Sequence, residues 1–113
     1  MSPDVLSSTA REIVGQLACE DYESVVKLCV KSRLTSDDLR SVIHDYGRKL
    51  VLPPAEAYRN LDAVQVRGQA TPTWSVRAPL WTLEEGQSDL ALELTIAVGP
   101  GAPRVELDDL HVL

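Results

Sequence analysis

The sequence has few aromatic residues and no long hydrophobic run. Phenylalanine is absent, and the only aromatic side chains besides histidine are two tryptophans and three tyrosines. No apolar stretch approaches the roughly eighteen residues that a membrane-spanning helix needs. The first residues also lack the basic and continuous apolar segments of a secretory signal. We therefore expect a cytoplasmic protein that does not interact with membranes.

Cysteine and clustered glycine are also scarce. Cys19 and Cys29 are the two cysteines, and their spacing fits neither a disulfide framework nor a zinc site, so we expect reduced thiols that are buried or half-buried. The glycines are isolated turn residues, which argues against a phosphate-binding loop. No nucleophile motif is visible. The sequence thus indicates no cofactor, metal or catalytic residue, and it favours a protein without enzymatic activity while leaving that question open.

Basic residues are fewer than acidic ones, and the difference is confined to the last thirty residues. The chain has 17 acidic and 11 basic residues, for a net charge of −6. Residues 1–83 hold ten acids and ten bases, whereas residues 84–113 hold seven acids against Arg104 alone. Binding to nucleic acid needs clustered cations, so we expect no nucleic-acid partner. The acidic C-terminal segment instead favours a basic protein partner.

Hydrophobic periodicity predicts one α+β domain over residues 1–113. Apolar residues at helical spacing indicate three helices, the first capped by Ser2, and alternation indicates four strands. We expect the helices to pack on one face of a four-stranded antiparallel sheet. The apolar parity of the last strand shifts near Asp108 and Asp109, which predicts a β-bulge there. The predicted helices span about 3–18, 21–31 and 35–47, and the strands about 62–67, 73–83, 89–98 and 104–112.

His111 is the more informative of the two histidines. It shares one side of its strand with Asp109, and a carboxylate beside an imidazole can support acid–base chemistry or bind a cationic group. A solvated strand face is the ordinary alternative for this pair. His44, in contrast, points away from the apolar face of its helix and is expected to face water.

The two tryptophans have opposite parity on one predicted strand. If Trp74 joins the core, Trp81 emerges on the other face, unless Pro79 bends the strand and reconciles them. An exposed tryptophan on a surface of small side chains with little charge is typical of an anchor for a protein partner. Packing at the sheet edge is the alternative.

Four segments of the second half stand out, and they are Trp74-Ser75-Val76, Leu80-Trp81-Thr82, Glu84 to Leu90, and the ending from Asp108 to Leu113. Together they resemble an uncharacterised family of small bacterial proteins. In the helical half, Asp21-Tyr22 opens the short helix and the segment from Leu39 to Gly47 closes the third. This half is similar to the cystatin-like and nuclear-transport-factor-2-like proteins. That resemblance implies helices lying in the concavity of a curved antiparallel sheet, in a superfamily of isomerases, cyclases, dimerisation modules and immunity proteins.

These observations support two main hypotheses of function. The first is a non-enzymatic protein-binding module, such as an immunity-type inhibitor, that presents an acidic sheet surface to a basic partner. Its candidate contact residues are Trp81, Glu84, Glu85, Asp89, Asp109 and His111. A homodimer built on the exposed sheet face is a third possibility.

The alternative is a small-molecule-binding or isomerase-like or cyclase-like protein. Its pocket would lie between helices and sheet, with a carboxylate acting as base. The candidate lining residues are Tyr46, Tyr58 and Trp74.

Overall fold

The structure is a computed structural model that describes residues 3–59 and 61–113, with side chains from residue 5 onward. The proposed helix cap Ser2 lies outside the described residues. The described chain forms an α+β fold with three helices and a mixed sheet. Its elements are α1 (Pro3–Ala18), α2 (Tyr22–Leu28), β1 (Lys31–Ser32), α3 (Ser36–Tyr46), β2 (Leu50–Val51), a 3-10 helix (Ala55–Tyr58), β3 (Asp62–Val66), β4 (Thr73–Thr82), β5 (Gly86–Ala97) and β6 (Arg104–Val112).

The sheet is larger than the sequence predicts. Its strands follow the order β1-β6-β5-β4-β2, and β3 pairs with β4 beside β2. β1 runs parallel to β6, and the other pairs are antiparallel. The expectation of a four-stranded antiparallel sheet therefore describes only the central strands. Two short strands extend the sheet to six and make it mixed.

Strand β1 replaces the predicted end of the second helix. The helix ends at Leu28, and its C-cap Cys29 is extended, with φ −83° and ψ 134°. The N–H of Val30 donates to the carbonyl of Val105 at 2.8 Å, and that of Arg33 to Leu107 at 3.0 Å. Pairing with β6 thus satisfies backbone groups that a longer helix would have used. The partner lies more than seventy residues away in the chain, so the local pattern could not reveal it.

The segment after α3 is ordered rather than a plain surface crossing. Leu50 pairs with Thr82 in β2, and the 3-10 helix buries Tyr58, which is 2% exposed. The hydroxyl of Tyr58 donates to the carbonyl of Pro79 at 2.8 Å. This bond satisfies an edge carbonyl of β4 between the parts that pair with β2 and β3.

Helix α3 has the ends that its sequence predicts. Thr35 and Asp38 form a capping box, and Gly47 ends the helix in the left-handed conformation at φ 75°. Such caps satisfy the backbone groups that a helix leaves unpaired. The prediction of this helix is confirmed within one residue at each end.

The core lies between the helices and one face of the sheet. The apolar stripe of α1 is at most 4% exposed, as are four alternating residues of β5. Each such leucine stabilises the fold by about 1.5–3 kcal/mol relative to exposure. The residues are Leu6, Ala10, Ile13, Val14 and Leu17 on α1, and Leu90, Leu92, Leu94 and Ile96 on β5.

The two cysteines have different environments. Cys29 is buried, as expected, whereas Cys19 is exposed at the end of α1, and both are free thiols. None of the helices in the described ranges is long and apolar enough to cross a membrane.

Candidate functional site

Strand alternation separates two faces of the sheet. Val76 and Leu94 pair and are buried against the helices. Because successive side chains point to opposite faces, Arg77 and Glu93, which also pair, lie on the face that the helices do not cover. We call this the outer face. The charged residues of β3 to β6 on it are the acids Asp62, Asp89, Glu93, Glu106, Asp108 and Asp109, and the bases Arg77, Arg104 and His111.

A β-bulge at Asp108 sets the register of β6. Leu107 pairs with Leu94 and Asp109 pairs with Glu93, so Asp108 is the extra residue, and the predicted bulge is confirmed. It returns Leu110, which is 2% exposed, to the buried face. The same shift places Asp109 on the outer face with His111, two residues further along the strand.

Glu93, Asp109 and His111 meet at the centre of the outer face. Nε2 of His111 contacts Oε2 of Glu93 and lies 4.0 Å from Oδ2 of Asp109. We call these three residues the carboxylate–histidine cluster. The hydrogen bond to Glu93, supported by the charge of Asp109, raises the pKa of His111 above its ordinary 6.5, because both interactions favour the imidazolium form. The cluster can therefore exchange protons or hold a cation.

A cleft lies at the start of β6. It has a volume of about 520 Å³ and combines apolar, hydroxyl and charged side chains. Beside it, the hydroxyl of Thr95 donates to the bulge residue Asp108 at 2.6 Å. The lining includes Val30, Val66, Thr71, Thr95, Arg104 and Glu106.

A second, smaller groove borders the cluster on the other side. It has a volume of about 270 Å³ and is lined by Pro79, Ala91 and Leu113 with the polar residues Arg77 and Gln87. Ala91 pairs with His111, so the groove and the cluster share a boundary. The outer face therefore carries an acidic centre between two depressions.

Trp81 lies on the outer face next to this groove. It pairs with Gln87 and is half-buried, and a Cβ on Gly86 would lie 3.7 Å from its ring. Trp74 pairs with Ile96 and packs against the core. The two rings thus occupy opposite faces, and Pro79 does not reverse the parity. Within the described chain, the buried indole Nε1 of Trp81 has no hydrogen-bond partner.

Glu84 and Glu85 lie apart from the cluster, at the tip of the β4–β5 hairpin. The Tyr46 hydroxyl donates to Glu85 at 2.9 Å, and the backbone N–H of Lys49 donates to Glu84 at 3.1 Å. These carboxylates therefore fasten the hairpin to the end of α3. Asp89, in contrast, is an exposed residue of β5 on the outer face.

The three candidate pocket residues have different surroundings. Tyr46 contacts the hairpin tip, Tyr58 is bonded to Pro79 at the β4 edge, and Trp74 packs beside Ile96 near the opposite end of β4. A cavity between helices and sheet is small, at about 190 Å³, and is lined by Leu17, Tyr22, Ile43, Leu50 and their neighbours. Tyr46, Tyr58 and Trp74 are not among the residues that line this cavity.

Glu93 is the site residue that sequence reasoning missed. It lies on β5, and its contact with His111 depends on how β5 and β6 align. The predicted bulge bears on this contact, because the extra residue at position 108 places Glu93 opposite Asp109. Without a hairpin register to count from, that alignment could not be fixed.

The fold and site define a small α+β protein whose helices cover one sheet face while the other is acidic and cleft-bearing. The chain belongs to the family described as domain of unknown function DUF7668, whose model matches residues 14–113. No significant match appears among curated proteins or solved structures.

Proposed function

We propose that this protein is a non-enzymatic protein-binding module whose outer face receives a basic partner, as an immunity-type inhibitor would. One observation carries the proposal. On β3 to β6, the outer face holds six carboxylates against two arginines and one histidine. Such an imbalance attracts positively charged partners and speeds their encounter.

The shape of the outer face supports the same proposal. Depressions of about 520 and 270 Å³ flank the acidic centre, and the half-buried Trp81 lies beside the smaller one. A partner could place basic side chains at the centre and apolar side chains in the grooves, with Trp81 as an anchor.

We also propose a specific fold family and a cellular location for this protein. Three helices in the first half of the chain, with the short strand β1 between the second and the third, cover one face of the sheet, and this arrangement supports a cystatin-like or nuclear-transport-factor-2-like assignment. Free Cys19 and Cys29 support a reducing, cytoplasmic compartment.

The test is affinity purification from native cells followed by mass spectrometry, with two charge-reversed baits beside the wild type. The outer-face bait carries Asp89→Lys and Glu106→Lys, which spare the carboxylate–histidine cluster and the hairpin tip. The matched control carries Glu12→Lys and Glu23→Lys, two exposed residues of α1 and α2. Both baits change the net charge equally.

We expect the wild type and the control to retain the same basic protein in near-stoichiometric amount, and the outer-face bait to lose it. Retention should also weaken as salt rises, because salt screens exposed charges. Equal retention by the outer-face bait, or a partner that is acidic, would refute the proposal.

A further inference from the structure

We propose that Glu93, Asp109 and His111 form a binding site for one divalent transition-metal ion of the zinc type. The inference does not depend on a protein partner. It also departs from the expectation from sequence that the chain holds no metal site, because that expectation was formed without Glu93.

The three side chains converge from a small block of the sheet. Glu93 and Asp109 are directly opposite each other, and His111 is opposite Ala91. One donor atom from each of the three lies within 4.8 Å of the others. Modest side-chain adjustment brings such atoms to the roughly 2.0–2.2 Å that zinc takes to imidazole nitrogen and carboxylate oxygen. Three protein ligands leave a fourth coordination position for water, as in open zinc sites.

Each carboxylate directs one oxygen to the cluster. Oδ1 of Asp109 accepts the backbone N–H of Leu110 at 2.9 Å, while Oδ2 faces His111. An outer hydrogen bond of this kind orients a metal ligand. Oε2 of Glu93 contacts His111, and its Oε1 lies 3.8 Å from the half-exposed Arg77, too far for a hydrogen bond.

Like charges placed directly opposite on neighbouring strands destabilise a sheet, and Glu93 and Asp109 form such a pair. Arg77 and the protonated form of His111 offset part of this repulsion. A divalent ion between the carboxylates would offset more of it, with release of the proton from the imidazole nitrogen that binds the metal. One imidazole nitrogen with two carboxylate oxygens suits zinc and related ions, whereas calcium and magnesium prefer all-oxygen sites.

The test is titration of the purified, metal-free full chain with Zn²⁺ by calorimetry, and with Co²⁺ by visible absorption. We expect one equivalent of Zn²⁺ to bind, and Co²⁺ bands to show nitrogen and oxygen ligation. His111→Ala and Glu93→Gln should each weaken Zn²⁺ affinity by about tenfold or more. The loss of an outer-shell partner already costs about tenfold, and the loss of a direct ligand should cost more. Zn²⁺ should also raise the melting temperature of the wild type but not of these variants.

His44→Ala is the matched control, because His44 is exposed on α3, far along the chain from the cluster, and its loss should leave binding unchanged. Circular dichroism establishes that each variant is folded, and His111→Gln replaces His111→Ala if the latter is not. The proposal is overturned if the wild type binds neither ion below millimolar concentration, or if the His111 and Glu93 variants bind as the wild type does. Because no partner is present, this result is independent of the pull-down.

Discussion

Glu85 joins the tip of the β4–β5 hairpin to the helical layer. Its carboxylate accepts the Tyr46 hydroxyl at 2.9 Å and the Thr82 hydroxyl at 3.1 Å, and the Tyr46 oxygen accepts the N–H of Asp89 at 3.3 Å. We expect Glu85→Ala to lower the free energy of unfolding by about 1 kcal/mol, a typical net value for such bonds. Urea denaturation measures this change. Glu12→Ala, at an exposed position on α1, is the control and should change stability by less than about 0.5 kcal/mol; equal effects would contradict the assignment.

The buried thiol of Cys29 should make the stability of the fold depend on pH in the alkaline range. Burial raises the pKa of its thiol from the ordinary 9.0 to about 11, because desolvation penalises the thiolate. Its contribution to stability is therefore complete below pH 9.0 and is lost as the pH rises through about 11. We expect urea unfolding to show a steeper fall in stability across this window for the wild type than for Cys29→Ala. Parallel pH profiles would show that the thiol does not ionise differently on folding.

The sequence alone predicts only those contacts of the candidate site that lie within one strand. Asp109 and His111 could be placed together because strand alternation relates neighbours on one strand. Glu93 could not, because its position relative to His111 is a property of two strands. Likewise, Glu85 looks like a solvated turn residue in sequence, since its contact with Tyr46 spans 39 residues of chain.

At the scale of elements, the bulge in β6 decides which side chains reach the outer face. Deleting Asp108 would put Asp109 and His111 on the buried face and turn Leu110 outward, unless the strand changes register. We expect this deletion to destabilise the protein by more than about 3 kcal/mol, since it exposes a leucine and buries ionisable groups. Asp108→Ala should cost only about 1 kcal/mol, the value of its bond with Thr95.

Urea denaturation compares the two changes. A deletion variant as stable as Asp108→Ala would mean that the bulge does not control the register.

Long elements were predictable because their signals are local. Helix α3 has its capping box at Thr35 and its terminal glycine at Gly47, and β5 has a long alternation of buried residues. The two-residue strands β1 and β2 have no such signal, because their backbone partners are supplied by β6 and β4. The 3-10 helix was missed for a related reason, since Tyr58 is fixed by contacts with distant residues.

At the scale of the whole molecule, the fold concentrates charge more than the chain order suggests. Most outer-face acids come from the last thirty residues, and β3 adds Asp62 opposite Arg77. The two acids of the hairpin tip, in contrast, leave this surface for contacts with the helical layer. Net charge by segment therefore located the acidic surface approximately, while the sheet register determined its members.

This concentration of charge predicts that the protein does not dimerise through the outer face. In a face-to-face dimer, two copies of the same six carboxylates would meet, and like-charge contacts at an interface are strongly unfavourable. We expect light scattering at low salt to give the monomer mass of 12.4 kDa, with no change for Trp81→Glu. Asp89→Lys with Glu106→Lys relieves the repulsion and is the variant in which self-association should first appear. A wild-type mass twice that of Trp81→Glu under the same conditions would instead establish the outer face as a homodimer interface, and the search for a basic partner would then have to move to another surface.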